Sequence, residues 1–110
     1  MDTYYKPEDL FKFQDVGKEA PELWKKFSDY YASVMKAGAL TEREKSLIAL
    51  AVAHAVQCPY CIDAYTKDSL EKGSNMEQMT EAVHIAAAIK GGAALVHAVQ
   101  MRNSAEKVGL

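Results

Sequence analysis

The stretch Glu42–Gly73, EREKSLIALAVAHAVQCPYCIDAYTKDSLEKG, decides how the chain folds. Thr41, Glu42, Arg43 and Glu44 form a capping box, so a helix is expected to begin immediately after Thr41. That helix is apolar nearly all round after its first turn, the pattern of a central, buried element. Pro59 then imposes a boundary. The residue before a proline is pushed out of the α region, so the first helix ends at or just before Cys58. Proline suits the first position of a new helix. Cys58 is therefore expected at the N-cap, and Cys61 at the third position, of a second helix running towards Gly73.

The rest of the 110 residues reads as helices as well. Pro7, Glu8 and Asp9 suit the first turn of a short helix ending near Gly17. Pro21 opens a helix whose stripe is Leu23, Trp24, Phe27, Tyr30, Tyr31, Val34 and Met35, and Gly38 closes it. Ser74 to Glu77 resembles a second capping box. It starts a helix expected to stop at Gly91-Gly92, with a last helix in AALVHAVQMRNSAEKV. Strand-like alternation and hairpin turns are scarce. The expected fold class is all-α, one domain of about six helices over 1–110. Alanine-rich faces (Ala86, Ala87, Ala88, Ala93, Ala94) on so small a core point to faces buried between subunits and hence to a homo-oligomer.

Composition bounds the function. A net charge of −2 with basic and acidic residues interleaved offers no stripe for nucleic acid. The polar N-terminus lacks the apolar segment of a signal peptide, and LIALAVAHAV is too short to span a bilayer, so the expectation is a cytoplasmic protein without a membrane partner. In a reducing compartment a CxxC pair is more often catalytic or metal-binding than a structural disulfide.

Three readings of Cys58 and Cys61 compete. At a helix N-terminus, unpaired N–H groups and the positive end of the dipole favour thiolate over thiol. One sulfur can attack and the other resolve, as a dithiol enzyme requires. A zinc site would need two more ligands from His54, His84 and His97, and no H-x₃₋₅-H pair is present. Two small buried thiols are the third reading. The first carries the most weight, and no metal or cofactor is expected.

The same stretch, together with EQMTEAVHIAAAIKGGAALVHAV, resembles the alkylhydroperoxidase D-like branch of the carboxymuconolactone decarboxylase family, over about residues 20 to 107. YYKPEDL, GKEAPELW and VHAVQMRN are similar to peroxidase-like proteins associated with arsenosugar biosynthesis. The resemblance implies an all-α fold, a trimer or hexamer, and reduction of a hydroperoxide or disulfide, with an unknown thiol as reductant. It implies that peroxide meets Cys61 and that Cys58 resolves the product. A dithiol acting on an arsenic-containing metabolite and a zinc-binding or redox-sensing oligomer are the alternatives. The family's proton relay, a glutamate twelve residues before the first cysteine and a histidine four after the second, is replaced here by Ser46 and Tyr65.

Acid–base help must then come from elsewhere. His54 lies one turn before Cys58, and histidine is the side-chain type suited to proton transfer at neutral pH, against the reading of a histidine bonded to a backbone carbonyl. Glu44 is a candidate, although its capping-box role competes. Tyr65, one turn after Cys61, can donate a hydrogen bond to a sulfenate or bound peroxide but is a poor base at neutral pH. His84 is weighed as a neighbour of the CxxC pair and more strongly as a core or interface histidine. His97 and the aromatic set of Trp24, Phe27, Tyr30 and Tyr31 are read as structural.

Overall fold

The computed structural model describes residues 4–109, so positions 1–3 and 110 of the expected domain lie outside the described residues. A 3₁₀ helix over Pro7–Gly17 is followed by α1 (Pro21–Met35), α2 (Glu42–Ala55), α3 (Pro59–Glu71), α4 (Met76–Val96) and α5 (Ala98–Lys107). Among the described residues there is no strand. The all-α expectation holds, with the opening helix wound as 3₁₀.

Helix α2 lies between α3 and α4, and these three make the core. Its buried apolar residues are Leu50 and Ala53 of α2 and Met79, Ala82 and Ala86 of α4. The 3₁₀ helix packs on α1 and α3. An aromatic series, Phe13–Trp24–Phe27–Tyr31, runs along α1 with successive ring centroids 4.9, 6.1 and 5.8 Å apart. Gly17 is buried at this junction, where an added Cβ would collide with the Trp24 side chain.

A polar lock fixes α3 on α2. Ser46, fully buried, donates to Asp68 at 2.6 Å and lies 3.0 Å from the Ser69 hydroxyl, itself fully buried. Lys72 completes the lock with a 2.5 Å ion pair to Asp68. Burial pushes the Asp68 carboxyl up, but the hydrogen bonds from Lys72 and Ser46 outweigh it and hold the group below the ordinary carboxylate range.

Two boundaries differ from the sequence expectation. The second capping box is made one residue later, by Asn75 and Gln78, whose side chains accept reciprocally from the backbone at 2.8 and 3.0 Å. Ser74 is instead drawn inward, its N–H bonded to the Ser69 carbonyl at the end of α3. Gly91-Gly92 does not break the helix, which runs through both residues to Val96, so that the break falls at His97. The flanking alanines and aliphatics keep the i→i−4 ladder going across the glycines, each of which weakens a helix by only about 1 kcal/mol.

The result is an extended chain. The radius of gyration is 19.0 Å and the longest dimension 58 Å, whereas a compact domain of this length has a radius near 13 Å. The excess is the rod formed by the second half of α4 with α5, where Ile89, Leu95, Val96 and Met101 are all more than 60 % exposed. By length and composition the run Met76–Lys107 could cross a membrane, with a mean hydropathy of 1.5 in its most apolar window. The sequence expectation weighed only the shorter apolar run in α2.

Two stability predictions follow from this packing. Gly17→Ala forces the ring of the single tryptophan aside and should cost roughly 1–3 kcal/mol in urea unfolding, as overpacking does, with a shifted Trp24 emission in the folded state. Asp68, whose folded pKa is depressed, stabilises the protein above its unfolded value of about 3.8 and loses that contribution as pH falls through the folded value. Asp68→Asn should therefore flatten the acid limb of the stability–pH curve; an unchanged limb would exclude the lock as its source.

Candidate functional site

The turn between α2 and α3 builds the site. Gln57 takes a left-handed conformation, φ 56°, which costs an ordinary residue about 1–2 kcal/mol. It reverses the chain, with the Cys58 N–H returning to the Ala53 carbonyl at 3.0 Å. Cys58 is then extended (φ −102°, ψ 101°), as a residue before proline must be, and becomes the N-cap of α3. Its sulfur accepts the Cys61 N–H at 3.2 Å. Cys58 and Cys61 are joined as a disulfide across 5.2 Å between Cα atoms. The chain is thus in the oxidised form of a dithiol, with both sulfurs at the positive end of a helix.

Cys61 is the sulfur that faces usable space. It stands where two apolar grooves meet, one of about 640 Å³ against α1 and α2 and one of about 460 Å³ against α1 and the 3₁₀ helix. Four side chains are common to both: Phe27, Tyr31, Cys61 and Tyr65. The hydroxyls of Tyr31 and Tyr65 are hydrogen-bonded to one another. Partial burial first, and the Asp68 carboxylate behind it, push the Tyr31 phenol above its ordinary pKa.

The other candidates lie elsewhere. The His54 Nδ1–H donates to the Leu50 carbonyl at 2.8 Å, and its ring lines a separate shallow cavity with Tyr5, Gln57, Pro59 and Ile62, on the Cys58 side of the turn. Glu44 accepts the Thr41 N–H at 2.8 Å in the capping box, and this bond holds its carboxyl below the usual range. It lines neither groove at which Cys61 stands. Ser46 is part of the α2–α3 lock. His84 on α4 and His97 at the break between α4 and α5 are exposed, and among the described residues no group of histidine, cysteine and acidic side chains gathers as metal ligands would.

Of the expected site residues, the structure brings Cys58, Cys61 and Tyr65 together. It adds two that sequence reading passed over. Tyr31 looked like one more apolar position in the α1 stripe. Asp68 lies seven residues after Cys61, on the same face of α3 as Tyr65, a spacing the sequence does contain. At the other side of the motif, Tyr5 packs against Tyr60 with ring centroids 4.5 Å apart and tilted by 59°, and donates to the Pro59 carbonyl at 3.2 Å, strapping the N-terminal segment over the first turn of α3.

Comparison with known proteins agrees with this architecture. A structural-genomics protein of Methanobacterium thermoautotrophicum superposes with a TM-score of 0.73 at 36 % identity, over 76 % of this chain and 94 % of that one. The apo form of a carboxymuconolactone decarboxylase family protein of Legionella pneumophila gives a TM-score of 0.68 at 31 % identity, over 91 % and 89 %. An uncharacterised protein of the cox locus of Paracoccus denitrificans is 49 % identical over 61 residues, and the match spans only 55 % of that protein's length. Residues 21–101 match the family description itself, and with the all-α core and the CxxC turn in place the chain belongs to the carboxymuconolactone decarboxylase family.

Proposed function

We propose that the protein is a thiol-dependent oxidoreductase that reduces a hydroperoxide through Cys61 and Cys58. The observation that carries this reading is the disulfide-linked pair at the start of α3, with Cys61 opening onto apolar grooves. Before turnover an external thiol must cut the disulfide. The helix N-terminus then favours a Cys61 thiolate, and the apolar walls receive the organic part of the peroxide. Attack leaves a sulfenic acid on Cys61. Cys58, three residues away and already within bonding distance, displaces water and restores the disulfide. Tyr65 is placed to donate a hydrogen bond at Cys61, in the place where the family resemblance led to an expected histidine.

The reading extends to assembly. A second copy of the chain is the occupant proposed for the bare α4–α5 rod and for the apolar groove of about 590 Å³ between α2 and α4, which is continuous with the rod through Ile85 and Ile89. The exposed apolar side chains of the rod support a covering surface, because a rod left in water would expose more apolar surface than a monomer ordinarily tolerates.

Peroxide reduction is tested by stopped-flow oxidation of the reduced protein. Wild type should react with cumene hydroperoxide at least about 100-fold faster than free cysteine; Cys61→Ser should abolish this, and Cys58→Ser should halt at a sulfenic acid trapped by dimedone. A wild-type rate equal to that of free cysteine sinks the reading. For assembly, light scattering should give a multiple of the 12.1 kDa chain mass, reduced to one chain by Leu95→Asp with Ile89→Glu. A monomer, or a protein that floats with lipid vesicles, would overturn it.

A further inference from the structure

Tyr31 reaches the site from α1, a helix that contributes nothing to the CxxC turn itself. Its hydroxyl meets that of Tyr65 at the junction of the two grooves. The larger groove is otherwise poor in acids. Lys45 also lines it, but its ammonium is bonded to the carbonyls of Val34, at 2.7 Å, and Lys36. Tyr30 is 69 % exposed. His54 and Glu44 line neither groove. The proton donors that share both grooves with the sulfur are therefore the two phenols.

We propose that Tyr31 and Tyr65 act as a paired-phenol acid, protonating the oxygen that leaves when Cys61 attacks a hydroperoxide. This deepens the peroxide-reducing reading and rests on it. The Cys61 thiolate attacks the terminal oxygen of R–O–OH, so that the S–O bond forms as the O–O bond breaks. Sulfur is oxidised to a sulfenic acid that keeps the terminal OH, and the peroxide is reduced. The departing alkoxide takes the Tyr65 proton and leaves as an alcohol. Tyr31 donates to the phenolate so formed, which later regains a proton from solvent. The Cys58 thiol then attacks the sulfenic sulfur: the disulfide forms, and water departs with the Cys58 proton.

The chemistry suits the residue. A phenol with a pKa near 10 is a poor base at neutral pH, yet it is a far stronger acid than any alcohol, so transfer to an alkoxide runs downhill. A second hydroxyl that can switch from acceptor to donor lowers the cost of the phenolate, as a hydrogen bond to the charged form does.

The test varies the leaving group. Reduced full-length protein and its Tyr31→Phe, Tyr65→Phe and double variants are mixed with cumene hydroperoxide, hydrogen peroxide and peracetic acid, and formation of the sulfenic acid or disulfide is followed. With cumene hydroperoxide each single variant should be about 10- to 100-fold slower, in the range of general acid catalysis. The double variant should be little slower than the worse single one, because the two act as a unit. With peracetic acid, whose carboxylate leaves without a proton, the loss should shrink to less than about threefold. An equal loss with all three oxidants would assign the pair a structural role and overturn the proposal, as would an undiminished rate for Tyr31→Phe with cumene hydroperoxide. Wild type no faster than free cysteine with every oxidant would instead reject the peroxide-reducing reading, and the acid with it. Thermal melting of each variant separates misfolding from lost chemistry.

Discussion

The site depends on one covalent constraint, the pyrrolidine ring of Pro59. It forbids Cys58 a helical backbone, ends the run begun at Glu42, and supplies a ready first residue for α3. The chain must therefore reverse between Ala55 and Pro59, which it does through the left-handed Gln57. Both sulfurs are then carried at the positive end of a new helix. The Cys61–Tyr65–Asp68 face of α3, the α2–α3 lock and the grooves around Cys61 are all oriented from that start. Without the proline, α2 would have no reason to stop, and the two cysteines would sit in the interior of a longer helix, where no free N–H groups face them.

Much of this was legible in the sequence because it is local. Thr41 and Glu44 form the capping box at the predicted register, and the Cys58–Pro59 boundary falls where proline sterics place it. Locality also explains the errors. Ser74 and Asn75 are both good N-caps, and the choice between them is made by the backbone bond from Ser74 to Ser69, a contact that no capping pattern encodes. The expected stop at Gly91-Gly92 followed intrinsic propensity, which a long flanking run of alanine and aliphatic residues overrides.

The candidate site was half legible for the same reason. Cys58, Cys61 and Tyr65 lie within eight residues on one element, so helix geometry alone groups them. Tyr31 is thirty-four residues from Tyr65, and in sequence it is indistinguishable from Phe27 or Tyr30 on the same stripe. Only tertiary packing, which brings the two tyrosines together around the grooves, gives its hydroxyl a partner. His54 is the converse case: spacing placed it one turn before Cys58, but its Nδ1–H is taken by Leu50 and its ring opens on the other side of the turn.

The adjacent glycines of α4 have a bearing on how the molecule acquires its final form. A Cβ at Gly91 or Gly92 would meet nothing within 4 Å, so neither is kept small by a neighbour within the chain. Both lie in the exposed rod, and each costs the helix about 1 kcal/mol relative to alanine. Beyond Lys90 the rod has few contacts of its own to repay that cost. Its persistence as helix therefore rests on its own i→i−4 ladder, and local opening reaches it before it reaches the core that α2 makes with α3 and α4.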